Sequence, residues 1–470
     1  MRKTKIVATI GPASEKPETL KKMLQAGLDV ARINLSHGTF KEHVKRIKMI
    51  RDLSRQLKRP VAILADLQGT KIRTGLMQDN KPVNLIPGRS ITITTADIPG
   101  NEHSISTTYK EFVRDIKVND RVLLDDGLMQ LKVVSKTGTT AECRIIDGGL
   151  LKEHKGMNLP DTVISAPSLT EKDKECVKFA AEIKADYIAQ SFVRTSENVL
   201  ALRNELKRRK AYIPIIAKIE KPEAVANLNS ILDVVYGIMV ARGDLGVEMS
   251  VDQIPILQKR IIARANEKDV PVITATQMLE SMTVNPRPTR AEVNDVANAV
   301  FDGTDAIMLS GETAAGKYPV ESVATMSDIA ERAEGSEFFT CHERGRFNPI
   351  NDSTEYSIAH AAYSASIEAN AKAMVVFTLS GKTALLLSKR RPCAPIYAIT
   401  HRLESYNRLN LIWGTIPVLN KFGRHGDEMV RNGIELLKKM RYLKKGDRVV
   451  ILAGTTATIG GTNFMKIETI

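Results

Sequence analysis

Two stretches of the 470-residue chain, 213–216 and 234–240, are apolar runs that each lead into charge: Lys218 and Glu220 follow the first, Arg242 and Asp244 the second. A buried strand that passes directly into charged residues delivers them to one edge of a parallel sheet, where open α/β sheets and barrels carry their active sites. Two carboxylates from adjacent strands suit a hard cation such as Mg²⁺, which takes few protein oxygens and keeps its other positions for substrate and water. A lysine beside them supplies positive charge to a phosphoryl group. The competing reading is a set of strand-end residues in surface ion pairs, the usual fate of one such charge. Four charges in matching places on consecutive strands favour chemistry.

Positioning these groups requires parallel neighbouring strands, and the rest of the chain has that pattern. Short apolar strands are predicted at 5–10, 30–35 and 61–67. Helices separate them: Pro17 opens one whose Leu20, Met23 and Leu24 share a face, and Val44, Ile47, Ile50, Leu53 and Leu57 line the next. The rhythm resumes after residue 168 with strands at 187–192, 213–219, 237–240, 272–276 and 306–310. These βα units describe a (β/α)8 TIM barrel of α/β class, with an open doubly wound sheet as the alternative. The unusual polar residues then share one rim: Arg32 and Asn34, Asp66, Lys218 and Glu220, Asp244, Thr276, and Ser310 with Glu312 all fall at C-terminal strand ends. In a barrel that rim is the catalytic face.

Between the third and fourth strands, residues 70–166 change to short period-two segments such as 90–94, 121–124 and 128–134, with Asp126-Gly127 as a hairpin turn signal. This reads as a small all-β domain inserted into the barrel as a lid. The chain divides into barrel residues 1–69 and 167–344, the insert 70–166, and a C-terminal α/β domain 345–470. The last has a predicted helix over 353–371 and strands at 373–378, 395–399, 416–419 and 448–453. Its turn Thr378-Leu-Ser-Gly-Lys-Thr-Ala384 joins a strand to a helix, and a helix start rich in Ser, Gly, Lys and Thr cradles phosphate. A capped turn with a chance lysine is the plainer alternative. Neither a Walker sequence nor a Gly-x-Gly-x-x-Gly fingerprint is present, which argues against an ordinary nucleotide-binding fold.

Composition narrows the class further. Hydrophobic residues at 43% and charged residues at 26% describe ordinary globular material with a large core. No apolar run reaches membrane-spanning length, and Met1-Arg-Lys-Thr4 leads straight into the first strand, so a cytoplasmic protein is expected. Cys143, Cys176, Cys341 and Cys393 are widely spaced without a Cys-x-x-Cys pair, which indicates reduced thiols rather than a zinc site or disulfide framework. The net charge of +14 attracts phosphorylated substrates or polyanions. Aromatic content is only 5%, and the basic clusters at 207–210 and 389–391 sit in helices or at their ends. They read as solvated faces rather than a nucleic-acid surface.

A series of motifs in order resembles the pyruvate kinase family, in its bacterial type without an extra C-terminal domain. They are Thr9-Ile-Gly-Pro12, Arg32-Ile-Asn-Leu-Ser-His37, Lys155-Gly-Met-Asn-Leu-Pro160, Lys218-Ile-Glu220, Met239-Val-Ala-Arg-Gly-Asp-Leu-Gly-Val-Glu248, Thr274-Ala-Thr-Gln-Met278, Asn285-Pro-Arg-Pro-Thr-Arg290 and Met308-Leu-Ser-Gly-Glu312. The resemblance runs from Lys3 to the C-terminus. It implies a barrel, an inserted β-barrel lid and a C-terminal regulatory domain, assembled as a homotetramer that converts phosphoenolpyruvate and ADP to pyruvate and ATP. A Mg²⁺-dependent barrel lyase acting through a pyruvate enolate is the alternative, sharing the carboxylate pair but not the lid motif at Lys155 or the C-terminal domain.

By that resemblance Glu220 and Asp244 hold Mg²⁺, and the Gly243 and Asp244 N–H groups meet the substrate carboxylate beside the Thr276 hydroxyl. Lys218 and Arg32 neutralise the phosphoryl group in flight, the main source of catalysis in phosphoryl transfer. Thr276 and Ser310 position a water or relay for protonating the enolate. Arg73 and Lys155 contact the nucleotide, which brings a second Mg²⁺. Thr378, Ser380, Gly381, Lys382 and Thr383 match a sugar-phosphate effector loop, whose ligand is fructose 1,6-bisphosphate, ribose 5-phosphate or AMP.

Asn34, Ser36, Asp66 and the Leu67 carbonyl match the family's K⁺ site, but this chain departs from a common pattern nearby. Where many members read Asp-Thr-Lys-Gly-Pro-Glu, it reads Asp66-Leu-Gln-Gly-Thr-Lys71. A lysine replaces the acid, and its ammonium stands in for the potassium charge; Thr70 also replaces a hinge proline. Activity without K⁺ is therefore expected. An assay in buffer free of Na⁺ and K⁺ checks this, and activity far below the K⁺ value contradicts it.

Overall fold

Strands buried on both faces must be apolar almost throughout, and eight such segments make the centre of this protein. The computed structural model describes residues 2–339, 353–422, 426–454 and 461–470. Strands β1 (Lys5–Thr9), β2 (Val30–Asn34), β3 (Ala62–Asp66), β4 (Tyr187–Gln190), β5 (Ile215–Ile219), β6 (Gly237–Ala241), β7 (Val272–Ala275) and β8 (Ala306–Leu309) close into a parallel barrel, β1 pairing with both β2 and β8. Closure excludes the open sheet. The alternation of each strand sorts its residues: Val7, Leu64, Tyr187, Ile216, Met239 and Met308 meet inside the barrel, whereas Ile6, Ile33, Ile63 and Val240 pack outward on the helices. Register sets Asn34 opposite Asp66 and Lys218 opposite Met239, so neighbouring strands end at a common level.

The helices between strands carry their own boundary signals. Phe40–Gln56 starts at Thr39, whose hydroxyl accepts from Glu42 N–H while the Glu42 carboxylate accepts from Thr39 N–H. Arg290–Asp302 starts with the same box from Thr289 and Glu292, and Gly303 ends it at φ 91°, a left-handed conformation suited to glycine.

The insert leaves after β3 and forms a separate sheet domain with a six-stranded sheet and a two-stranded pair. Its core, including Ile91, Ile93, Val122, Leu131 and Cys143, is distinct from that of the barrel. Arg121–Leu124 runs antiparallel to Met129–Thr137, and the turn between them places Asp125, Asp126 and Gly127 at positive φ.

The C-terminal sheet contains β9 (Ala373–Phe377), β10 (Ile396–Thr400), β11 (Thr415–Leu419), β12 (Arg448–Gly454) and β13 (Thr462–Thr469), in the order β11-β10-β9-β12-β13. The first four follow the predicted pattern. β13 has no counterpart in the predicted strands, because its residues Thr-Asn-Phe-Met-Lys-Ile-Glu-Thr are largely exposed and form an edge, pairing antiparallel with β12 and with no other strand among the described residues. The domain boundary drawn at 344/345 lies outside the described residues, as does Cys341. Cys143 and Cys176 are buried free thiols. Among the described residues, no helix is long and apolar enough to cross a membrane.

One reading of the basic clusters is corrected. Lys207, Arg208 and Lys210 are exposed, but Lys389, Arg390 and Arg391 are buried. They end the helix Lys382–Lys389 against the bottom of the barrel. Lys389 Nζ reaches Asp305 at 2.6 Å and the Val270 carbonyl at 2.7 Å, and Arg391 reaches Asp305 at 3.0 Å. Arg391 also lies 4.6 Å from the ring centre of Trp413, with Lys3 at 5.1 Å. Charge alone did not distinguish this basic run from a solvated one; Asp305, which precedes β8, supplies the difference. Burial pulls the Lys389 pKa down to about 8 against the attraction of Asp305. The pair therefore only partly repays its desolvation, yet losing one member strands the others. Asp305→Ala is expected to lower stability by about 3–5 kcal/mol in denaturant unfolding, whereas the exposed Lys207→Ala changes it by less than about 0.5 kcal/mol.

Candidate active site

Each barrel strand changes from apolar to polar where it leaves the sheet, and closure brings those ends together. Lys218, near the end of β5, lies in a pocket of oxygens. Its Nζ donates to Ser191 Oγ at 2.9 Å, lies 2.7 Å from Glu220 Oε1 and stands 3.7 Å from Asp66 Oδ1. Burial alone would depress this lysine, but Asp66 and Glu220 together outweigh it and raise its pKa. The ammonium is held charged. Ser191 passes the constraint on, donating to the Leu67 carbonyl at 2.8 Å.

Arg32 on β2 completes the cationic side of the rim. Its Nε donates to Asp66 Oδ2 at 2.7 Å and its Nη1 to Thr9 Oγ1 at 2.8 Å. Burial, followed by the fields of Lys71, Arg73, Lys172 and Arg32, lowers the pKa of His37. That many cations around one side chain make a field suited to a polyphosphate.

Glu220 is 1% exposed and accepts the Phe192 N–H on Oε2 at 2.8 Å. Its pKa is raised, first by burial and further by the nearby charge of Asp244, with Lys218 opposing. Two carboxylates crowded in a buried rim form a donor set that a divalent cation fits and relieves. Among the described residues, no cluster of three or more acidic, histidine or cysteine side chains has metal-binding geometry. A pair of protein oxygens remains in keeping with Mg²⁺, which retains water and substrate ligands.

Asp244 and Gly243 begin the short helix Arg242–Glu248. Gly243 N–H donates to Thr276 Oγ1 at 2.7 Å, and that hydroxyl lies 2.6 Å from the Ala275 carbonyl. Thr276 and Gln277 have φ of 70° and 53°. Such backbone is costly for a β-branched residue and persists only when neighbours enforce it. Arg242 does so: it donates to the carbonyls of Ala275, Thr276 and Gln277 at 3.3, 2.6 and 3.3 Å, and pairs with Asp295 at 2.7 Å. Of the two charges after β6, Arg242 thus turns away to brace the backbone while Asp244 faces the rim. Ser310 N–H donates to the buried Glu312 carboxylate at 2.7 Å, and Glu312 also accepts from Leu279 N–H at 3.1 Å, tying the β7 and β8 ends together.

At the K⁺-type group, Asn34 Oδ1 accepts Ser36 N–H at 3.1 Å, and Asp66 Oδ1 is buried without a hydrogen-bond partner among the described residues. That oxygen and its neighbours fit a monovalent cation. Lys71 is exposed on the connection into the insert. Arg73 and Lys155 lie on facing segments of the insert: Arg73 bridges Gly156, its Nη1 donates to the His154 carbonyl at 2.9 Å, and Lys155 pairs with Asp125 at 2.8 Å. A cleft between insert and rim is lined by Lys71, Asp126, Asn158, Phe192, Lys221 and Asp244.

The Thr378–Thr383 turn stands apart on the C-terminal domain. Gly381, at φ 89°, donates to Thr378 Oγ1 at 2.9 Å, Lys382 N–H lies 3.4 Å from Ser380 Oγ, and Thr383 and Thr462 share a 2.6 Å hydroxyl contact. Lys382 Nζ lies 3.6 Å from Glu355. Ser191 and Thr9 are rim supports that the sequence does not single out, and Arg242, expected among the four charges that do chemistry, instead braces backbone. Ser191 carried the same positional signal as the others, a polar residue at the end of β4.

Comparison with known proteins agrees with this architecture. The family model for the pyruvate kinase barrel domain matches residues 1–323, and that for the pyruvate kinase alpha/beta domain matches residues 356–468. Pyruvate kinases of Staphylococcus aureus strains MRSA252 and NCTC 8325 are each 42% identical over 471 residues, a match spanning 100% of this chain and 80% of theirs. The crystal structure of a pyruvate kinase from Cryptosporidium parvum superposes with a TM-score of 0.95 at 35% identity, covering 100% of this chain and 96% of that one. These matches define an enzyme, a phosphotransferase built on a (β/α)8 barrel. The chain belongs to the pyruvate kinase family. Matches to both family domains leave the lyase alternative without support.

Removing the brace is expected to loosen the rim without removing any rim group. Arg242→Met should cost about 3 kcal/mol of stability through its unpaired carbonyls and Asp295. It should also lower kcat/KM for phosphoenolpyruvate by about 10²-fold through misplacement of Thr276. Steady-state rates and urea unfolding check both, and wild-type rates would show that Thr276 needs no brace.

Proposed function

We propose that this member of the pyruvate kinase family uses Lys218 and Arg32 to stabilise the phosphoryl group passing from phosphoenolpyruvate to ADP. The observation that carries the reading is the held charge of Lys218, fixed by Ser191, Glu220 and Asp66 in a buried rim. Charge stabilisation by groups already in place costs no reorganisation during transfer. Arg32, oriented by Thr9 and Asp66, acts beside it. Glu220 and Asp244 would hold Mg²⁺, which when bound supplies positive charge to the substrate's carboxylate and phosphoryl oxygens. Gly243 and Asp244 would offer N–H groups to the carboxylate, Gly243 exchanging its hydrogen bond to Thr276 Oγ1 for one to the substrate, and Thr276 with Ser310 would order the proton delivered to the enolate carbon. Arg73 and Lys155 bind the nucleotide, whose phosphates bring the second Mg²⁺.

The remaining roles are proposed on the same footing. Asn34, Ser36, Asp66 and the Leu67 carbonyl form the monovalent site, with Lys71 on its flexible stem supplying the charge that K⁺ supplies in the family. The turn of Thr378, Ser380, Gly381, Lys382 and Thr383 takes a phosphorylated effector. The edge of β13 that no other strand pairs with among the described residues, with Phe464 and Ile467 exposed on it, supports a homotetramer in which this strand meets its counterpart across a two-fold axis. A cytoplasmic location fits a glycolytic enzyme with buried free thiols.

Lys218→Met should lower kcat by about 10³-fold while the variant still folds and binds Mg²⁺; a rate near wild type would remove Lys218 from the transfer step. Lys382→Ala should abolish activation by phosphorylated effectors, and unchanged activation by all of them would exclude the loop.

A further inference from the structure

The helix Arg242–Glu248 carries Gly243 and Asp244 at its start, and both of its ends are pinned by buried charges. Arg242 grips the Thr276 loop at one end. At the other, Glu248 is only 4% exposed, and its Oε1 accepts from Lys221 Nζ and, at 2.7 Å, from Asn158 Nδ2. Lys221 directly follows Glu220 and lies 5.9 Å from the ring centre of Phe192. Asn158 belongs to the insert, on the strand Met157–Asn158 that pairs with Arg121–Leu124.

One carboxylate oxygen thus joins three parts of the protein: the insert, the strand end bearing Glu220 and the helix bearing Asp244. A buried carboxylate has no stable place in such a position unless cations and donors meet it. Its other oxygen is buried without a hydrogen-bond partner among the described residues, so Asn158 and Lys221 converge on Oε1. A second contact falls on the same helix. At Gly127, in the hairpin turn of the insert, a side-chain carbon would lie 3.7 Å from Val247 Cγ1. The insert therefore rests on the last turn of the helix whose first turn faces the substrate.

We propose that Glu248 is a positioning residue that transmits the seating of the insert to this helix, so that a nucleotide held by the insert and a carboxylate held at the rim tighten each other's binding. The inference rests on the reading of Gly243 and Asp244 as the substrate end of the helix, and adds the residue that links it to the nucleotide side. Linkage makes the effect reciprocal: each ligand raises the affinity of the other by the same factor.

Calorimetric titration of the full chain with Mg²⁺–ADP and with oxalate, a small dicarboxylate that cannot accept or donate phosphoryl, measures that factor directly. Asn158→Ala removes one hydrogen bond to a charged acceptor and should reduce the coupling about tenfold. Oxalate binding in the absence of nucleotide should fall far less than the coupling does, which a general loss of structure would not allow. Asn158→Asp, which sets a second carboxylate against Glu248, should reduce the coupling further. Wild-type coupling in Asn158→Ala would overturn the proposal, as would weakening of oxalate alone in step with the coupling. Asp244→Asn run in parallel separates the two readings: if it leaves oxalate binding intact, the substrate end of the helix has been misassigned, whereas intact coupling in Asn158→Ala removes the link through Glu248.

Discussion

A lysine, an arginine and two carboxylates sit together at the barrel rim with almost no water around the acids: Asp66 and Glu220 are each 1% exposed. Isolated, each would be driven out of such a place by desolvation, and a lone lysine would lose its proton. Together they are tolerable, because Lys218 finds Glu220, Ser191 and Asp66, while Arg32 finds Asp66 and Thr9. Much of the surrounding structure can be understood as what keeps these charges in register. Parallel closure brings the strand ends level. Ser191 locks the lysine to the Leu67 backbone, and Arg242 holds the strained Thr276 loop against the first turn of the neighbouring helix.

The same physics recurs at the opposite end of the barrel. There the C-terminal domain inserts Lys389 and Arg391 toward Asp305, with Trp413 covering the guanidinium. Neither cluster is an efficient source of stability, since ion pairs taken from water return little net free energy. Their value is geometric, because a buried charge tolerates one arrangement of partners and penalises all others. A helix that carries the exposed Lys382 at its start and the buried Lys389 at its end therefore links the largely buried Thr378–Thr383 turn of the C-terminal domain to the barrel.

What was legible in the sequence follows from this division. The eight strands announced themselves because burial on both faces demands apolar runs, and the rim residues because Lys218, Glu220 and Asp244 interrupt those runs at equivalent places. The insert was legible as a change of period. Groups whose meaning depends on a distant partner were not. Lys389–Arg391 has the composition of a solvated helix end until Asp305, 84 positions from Lys389, is seen beside it. Glu248 stands in the sequence only as the last residue of the Met239–Glu248 motif, and only the fold brings it to Asn158, 90 positions away. The edge strand β13 escaped for the opposite reason, since its exposure leaves no apolar pattern to read.

On the function proposed above, the charge of Lys218 serves the phosphoryl group, while protonation of the enolate belongs to the groups around Thr276 and Ser310. Exchange of pyruvate methyl protons with deuterated solvent, followed by proton NMR, separates the two halves of the reaction. A Lys218→Met enzyme that still exchanges those protons at a rate near wild type, while forming almost no ATP from phosphoenolpyruvate and ADP, is the predicted result. Loss of exchange in parallel with loss of transfer, in a variant that folds and binds Mg²⁺ normally, would contradict it and make Lys218 part of the proton path.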